Sequence, residues 1–230
     1  MEDSEPIAYT LGWIPFIHTK IYLDSRPLIP RPETEYWVDQ VIQEIKKSKV
    51  EKPRILDLCA GSGCIGVAVL KEIRDAFVDF VEIEEIHHKT IERNIRENNL
   101  DSSHTRIFGG DLFENVLGSY DFILSNPPYI NPDLKARVEK SVIQYEPPKA
   151  LYGGDGGLDI IRRILSKVSD HLARAGVLYL EHEPEQVEAL VSHPMYQKTY
   201  PDQFGLLRFS QFMKGEIEPS LDAFAERAKV

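Results

Sequence analysis

Ser125-Asn126-Pro127-Pro128-Tyr129 follows Asp121-Phe122-Ile123-Leu124, an apolar run that reads as a buried strand. Two consecutive prolines leave no backbone N–H and fix both φ angles. The turn is therefore stiff, and the Pro127 carbonyl has one direction. An NH₂ group on an sp² carbon carries two donors. The Asn126 side-chain oxygen and the Pro127 carbonyl can accept both, while Tyr129 lies against the flat group they hold. A nitrogen held this way suits attack on a methyl carried by a sulfonium, whose leaving group is neutral. In-line placement then supplies much of the rate. No strong general base is required, because the nitrogen sheds its proton after attack. Taken alone, the same residues also fit a proline-rich turn that closes a strand.

A second segment, Ile55-Leu56-Asp57-Leu58-Cys59-Ala60-Gly61-Ser62-Gly63-Cys64-Ile65-Gly66, contains G-x-G-x-x-G between an apolar run and a helical pattern. Glycines there allow a tight turn and close approach of backbone to a ligand. Dinucleotides use such a loop by placing a pyrophosphate on the helix N-terminus. S-adenosylmethionine has no phosphate and instead needs an acceptor for its ammonium group. Asp57 would oppose a pyrophosphate and suits the ammonium. Glu82, ending the next apolar run, can accept both hydroxyls of a ribose. Asp111, in Gly109-Gly110-Asp111-Leu112-Phe113, can accept from an adenine amino group, with Leu112 or Phe113 against the ring. The plainer readings are a tight strand-helix turn with no ligand for the glycine loop, a solvated strand end for Glu82 and a helix or turn cap for Asp111.

These segments need a frame that brings them together. Residues 9–29 read as a β-hairpin rich in β-formers, Tyr9 and Trp13 among them. Pro32, Glu33 and Glu35 mark a helix start, and Val38, Val41, Ile42 and Ile45 form its apolar stripe. Beyond that, strands are expected at 54–58, 77–83, 104–108, 120–125, 177–181 and 204–213. Helices are expected at 64–74, 85–98, 158–172 and 184–191. Alternation of this kind predicts a Rossmann-like α/β fold with a doubly wound, mostly parallel sheet, which binds ligands beyond the carboxyl ends of its strands. The expected division is a hairpin segment, 1–30, and one domain, 31–230.

The 230 residues carry a formal net charge of −10. That argues against a dedicated nucleic-acid binder, which needs clustered Lys and Arg, and fits a basic partner. No apolar run approaches the ~20 residues of a membrane helix. The acidic start, Met1-Glu2-Asp3-Ser4-Glu5, has neither the basic nor the apolar part of a signal peptide. Cys59 and Cys64 complete no metal set, so no metal is expected. His87-His88 reads as solvated histidines, and Glu181-His182-Glu183 as an ordinary strand end. Residues 221–225 are expected to form a short docking helix or a frayed tail.

The chain resembles the PrmC/HemK family of peptide chain release factor N5-glutamine methyltransferases. The resemblance rests on Leu28 to Glu35, Asp57 to Gly66, Ser125 to Ile130, Tyr145 to Leu151 and Gly153 to Leu158. It implies a class I methyltransferase that transfers methyl from S-adenosyl-L-methionine, giving S-adenosyl-L-homocysteine. The acceptor would be the glutamine amide nitrogen of the Gly-Gly-Gln tip of a class I release factor. Asn126, Pro127 and Tyr129 would be catalytic, taking and flanking the amide beside Pro128, with Arg31 and Glu33 near the entrance. Asp57, Cys59, Ala60, Gly61, Ser62, Gly63, Glu82, Asp111, Leu112 and Asn126 would hold the cofactor. Family members carry a helical domain before the hairpin, whereas this hairpin begins almost at Met1. Cys59-Ala60 stands where Gly-Thr is usual, and Glu82 where Asp is common. A monomer in bacterial cytoplasm is expected, or alternatively in a mitochondrial matrix. The rival activity is an amino-methyltransferase acting on adenine or cytosine of DNA or RNA, using the same turn on a flipped base. A dinucleotide oxidoreductase is disfavoured by Asp57, and a non-catalytic subunit by the intact loops.

Overall fold

The computed structural model of the chain describes residues 4–215. A one-turn helix, α1 (Ile7–Leu11), follows Pro6 and stops at Gly12, which takes a left-handed φ of 76°. The hairpin is β1 (Trp13–Phe16) and β2 (Thr19–Tyr22), with Trp13 opposite Tyr22. It is shorter than the sequence predicts. Tyr9 lies in α1, and its hydroxyl donates to the Pro27 carbonyl at 2.6 Å. That bond ties the start of the chain to the extended segment leading into α2 (Pro32–Ser48). Proline at the first helical position and Glu33 and Glu35 in the first turn favour this start. The helix buries the expected stripe and extends it with Thr34 and Trp37.

The alternation then runs β3 (Arg54–Leu58), α3 (Cys64–Glu72), β4 (Phe77–Glu82), α4 (His88–Glu97), β5 (Thr105–Gly109) and β6 (Tyr120–Ser125). Two short helices, α5 (Lys140–Tyr145) and α6 (Pro148–Leu151), precede α7 (Asp159–His171), β7 (Leu172–Glu181), α8 (Val187–Val191), β8 (Tyr196–Pro201) and β9 (Leu207–Met213). The sheet order is β5-β4-β3-β6-β7-β9-β8. Pairing is parallel from β5 to β7, and β9 runs antiparallel to both β7 and β8. The doubly wound, mostly parallel α/β fold predicted from the sequence is present.

Two strands depart from the prediction. No strand is expected at β8, because its Tyr-Gln-Lys-Thr-Tyr-Pro has no apolar alternation; it is an edge strand with no fully buried residue. β7 begins at Leu172 rather than Val177, because its first residues, with Ala175 at φ 60°, carry little apolar signal. Residues 221–225 lie outside the described residues.

Side chains alternate across the sheet with the strand period of two. Ile55, Phe80, Phe122 and Leu124 face α2, α3, α4 and the hairpin; Leu56, Leu58, Ile123 and Leu180 face α7 and α8. Each such aliphatic or aromatic burial stabilises the fold by about 1.5–3 kcal/mol. The chain leaves β3 toward one edge, through β4 and β5, and crosses back to β6 on the other side of β3. This order reversal opens a crevice at the carboxyl ends of β3 and β6, where Cys59 and Asn126 begin their loops.

Candidate active site

The loop after β3 turns through three left-handed residues, Cys59 (φ 65°), Gly61 (φ 55°) and Gly63 (φ 76°). Gly66 is required where α3 crosses β4, since a Cβ there would overlap the Phe80 ring. Asp57 is fully buried beneath the loop. Its Oδ2 accepts the Gly66 N–H at 2.8 Å, and Oδ1 has no donor among the described residues. Burial, opposed by the Gly66 bond and reinforced by Glu82, pushes this carboxyl up to about 8. Glu82 is also buried and accepts the N–H groups of Gly61 at 2.7 Å and Glu84 at 2.9 Å. Burial pushes the Cys59 and Cys64 thiols up, so neither is a thiolate at neutral pH.

Cys59, Gly61, Glu82, Asp111, Leu112 and Asn126 line one cavity of about 330 Å³. Ala60, Ser62, Gly63 and Asp57 shape the loop from behind and are not part of the lining. Asp111 is paired with Arg163 at 2.6 Å. His87 also lines this cavity, which corrects the expectation of two solvated histidines. It is buried, with Nδ1 2.7 Å from Ser25 Oγ, and burial lowers its pKa. His88 donates from Nε2 to the Glu82 carbonyl at 3.0 Å, helping to fix that strand end.

A second cavity of about 350 Å³ is lined by Arg31, Pro127, Tyr129, Arg137 and Glu183, among others. Leu28, Asn126 and Ala150 belong to both linings. The two spaces therefore meet at Asn126. Glu33 lines neither. Arg31 donates to Glu146 at 2.6 Å, and the same buried carboxylate accepts the Ile29 N–H at 3.0 Å. Glu146 thus pins the segment before α2 onto the segment before α6, forming one wall of the site.

The Asn-Pro-Pro-Tyr turn is held from several sides. The Ser125 hydroxyl donates to the Leu58 carbonyl at 2.8 Å, joining the ends of β6 and β3. Asn126 Nδ2 donates to Thr34 Oγ1 at 3.1 Å. The Tyr129 hydroxyl donates to Glu181 at 2.8 Å, and Gln186 Nε2 donates to the Tyr129 carbonyl at 2.8 Å. Glu181, at the end of β7, is fully buried and also accepts from Thr34 Oγ1 at 2.7 Å and Trp37 Nε1 at 2.6 Å. Burial raises its pKa against the pull of these three donors. Burial and the Glu181 charge hold the Tyr129 phenol protonated. The sequence reads Glu181 as an ordinary strand end and gives Thr34 no role of its own. The available signal was an acid at the carboxyl end of a buried strand, where this fold places its ligands.

A family model described as "Methyltransferase small domain" matches residues 39–146. The release factor glutamine methyltransferase of Lactococcus lactis is 32% identical over 202 residues, covering 88% of this chain and 72% of the relative. The chain belongs to the release factor glutamine methyltransferase family. The enzyme of that name from Thermodesulfovibrio yellowstonii is 34% identical, over 81% of this chain and 67% of its own. The chain thus spans roughly two thirds of the length of such family members. A methyltransferase from Pyrococcus furiosus shares the fold, with a TM-score of 0.58 at 20% identity over 82% of this chain and 88% of that one. The relatives' names do not favour the nucleobase alternative. Among the described residues no helix is long and apolar enough to cross a membrane, and no group of three or more His, Cys, Asp or Glu could hold a metal.

Proposed function

We propose that this chain methylates the side-chain amide nitrogen of the glutamine in the Gly-Gly-Gln tip of a class I release factor. The supporting observation is the position of Asn126 in the walls of both cavities. The residues around the first cavity fit S-adenosylmethionine. Asp57 Oδ1, behind the cavity wall and without a donor among the described residues, is an acceptor that an ammonium group would satisfy. Glu82, fixed by two backbone N–H groups, retains lone pairs for a ribose diol. Leu112 supplies an apolar wall for a purine, beside Asp111. When bound, the cofactor supplies a sulfonium methyl as electrophile.

The protein's task is to hold the acceptor nitrogen. The Asn126 side-chain oxygen and the Pro127 carbonyl take the two amide hydrogens, leaving the lone pair free to face the methyl. Tyr129, fixed at its hydroxyl and its carbonyl, closes one side of the planar group. Transfer would exchange the cofactor's S–C bond for a new N–C bond, and the nitrogen would then release one proton to water. Arg31 and Arg137 line the second cavity, and on this reading they would face the incoming release-factor tip.

The direct test is incubation with methyl-labelled S-adenosylmethionine and a class I release factor. The expected result is label on one glutamine, lost when Gly-Gly-Gln becomes Gly-Gly-Ala. Label that survives that change overturns the substrate assignment.

A further inference from the structure

Asn126 can serve the substrate only if its carboxamide presents the correct end. The two ends of a primary amide are alike in shape and opposite in hydrogen bonding. Turned over, the group would meet the substrate NH₂ with an NH₂ of its own. Something behind the turn has to choose.

We propose that Glu181 and Thr34 form a one-way hydrogen-bond relay that dictates which end of the Asn126 carboxamide faces the acceptor amide. Both are positioning residues, and the inference rests on the reading that Asn126 accepts from that amide. An ionised carboxylate only accepts hydrogen bonds. Trp37 Nε1 only donates, and it donates to Glu181 Oε2 at 2.6 Å. Thr34 lies 2.7 Å from the same oxygen and commits its single hydrogen there. The Thr34 oxygen is then left with lone pairs alone, so toward Asn126 it can only accept. Asn126 accordingly turns Nδ2 to Thr34 at 3.1 Å. Oδ1 is the end left for the substrate. Glu181 also receives the Tyr129 hydroxyl through Oε1 at 2.8 Å, so one carboxylate orders two walls of the site. Trp37 and Thr34 reach it because they stand three apart on the buried face of α2. The strand register adds the rest: Ser125 lies beside Leu180, which places Asn126 next to Glu181.

A purely structural Glu181, present only to satisfy Trp37, predicts a different outcome from a relay. Thr34→Val keeps the shape of the side chain and leaves the Trp37 and Tyr129 bonds to Glu181 in place. Thr34→Ser keeps the hydroxyl. Glu181→Gln introduces a donor that can reverse the chain. With the release factor as substrate, Thr34→Ser should stay within about threefold of wild type in kcat, while Thr34→Val and Glu181→Gln should fall at least about tenfold. The dissociation constant for S-adenosylmethionine should stay within about twofold in Thr34→Val, because its hydroxyl does not line the cofactor cavity. Wild-type kcat in Thr34→Val, or a Thr34→Ser as slow as Thr34→Val, overturns the relay.

Neutron diffraction of the deuterated wild-type chain provides a readout that needs no turnover. Deuterons on the Asn126 nitrogen facing Thr34, with the Thr34 deuteron on Glu181, are expected. The Asn126 oxygen facing Thr34 overturns the relay whatever the substrate is. Failure of the wild-type chain to label a release factor would remove the proposed substrate, and the deuteron map would still decide the relay.

Discussion

At the scale of single residues, the site separates groups that hold a ligand from groups that hold those groups. On the proposed reading Asn126 belongs to the first kind. Asn126→Ala removes one of the two acceptors proposed for the amide and leaves the Gly61, Glu82 and Leu112 walls untouched. Calorimetric titration should find S-adenosylmethionine affinity within about fivefold of wild type, while turnover falls about 100-fold, the scale for losing one preorganised group at a reacting centre. Wild-type turnover would take Asn126 out of the mechanism. Asp57, the proposed ammonium acceptor, leaves a different mark. Its carboxyl sits at about 8 in the folded chain, chiefly through burial, and near 4 when unfolded. Between those values the folded chain keeps a proton that the unfolded chain has lost. Stability of the cofactor-free protein therefore falls as pH rises from about 4 to 8 and levels off above that window. Asp57→Asn removes this titration and can still accept from Gly66. From pH 5 to pH 7.5, urea unfolding should show the variant gaining on wild type by on the order of 3 kcal/mol. Parallel pH profiles for the two proteins would exclude Asp57 as the titrating group.

At the scale of elements, the Asn-Pro-Pro-Tyr turn is stiffened by its own prolines and by a glycine-rich segment pressed against its backbone. Ile130 exchanges bonds with the strip that leaves α6: its N–H donates to the Leu151 carbonyl at 2.9 Å, and its carbonyl accepts the Gly153 N–H at 3.0 Å. A Cβ at Gly157 would overlap the Tyr129 carbonyl oxygen, and one at Gly153 would come 2.5 Å from the Pro128 carbonyl oxygen. Gly156 is also left-handed, at φ 59°, but a Cβ there would meet only Leu158 Cδ1 at 3.8 Å. The pair separates conformational strain from collision. Gly156→Ala should cost about 1 kcal/mol and keep its turnover. Gly157→Ala should cost 2 kcal/mol or more (roughly, strain plus overpacking) and lose most turnover, because the Tyr129 backbone must move. Equal losses in denaturation midpoint and initial rate would show that the close approach has no consequence. The elements and turns most legible in the sequence are those built from such local constraints. Val38 to Ile45, Arg54–Leu58 and Tyr120–Ser125 carry continuous apolar patterns, and prolines and glycines mark the loops between them. Thr34, Glu181 and His87 carry no comparable local signal. Thr34 and Glu181 meet across 147 positions of sequence, and the rule that adjacent helical residues point apart does not say which of His87 and His88 points inward. Tyr9 has strand propensity but is held in one helical turn by its bond to Pro27.

At the scale of the whole molecule, the order reversal beside β3 brings two segments far apart in sequence to one crevice, and the cavities approach Asn126 from different sides. On the proposed reading, a protein substrate presents its tip to the second cavity and the cofactor would occupy the first. Charge then governs how often that encounter occurs. The chain carries a formal net charge of −10, and the second cavity mixes Arg31 and Arg137 with Glu139 and Glu183. Arg31 and Arg137 are already paired with Glu146 and Glu185, so the long-range field comes from the acidic excess and draws a basic partner. Such steering acts on association and is screened once the Debye length falls below the distance between the surfaces, from about 14 Å at 50 mM salt toward 5–6 Å at 300 mM. The specificity constant kcat/KM for a release factor with a basic face around its Gly-Gly-Gln tip should therefore drop about three- to tenfold over that range, with kcat nearly constant. A short peptide of neutral charge carrying Gly-Gly-Gln should lose less than about twofold, because the positioning at Asn126 is short-ranged and shielded from salt. Equal salt dependence for protein and peptide would place the effect in the cavity rather than in the approach. A release-factor rate that rises with salt would mean that the approaching face is acidic, and that the local arginines, not the net charge, set the field at the mouth.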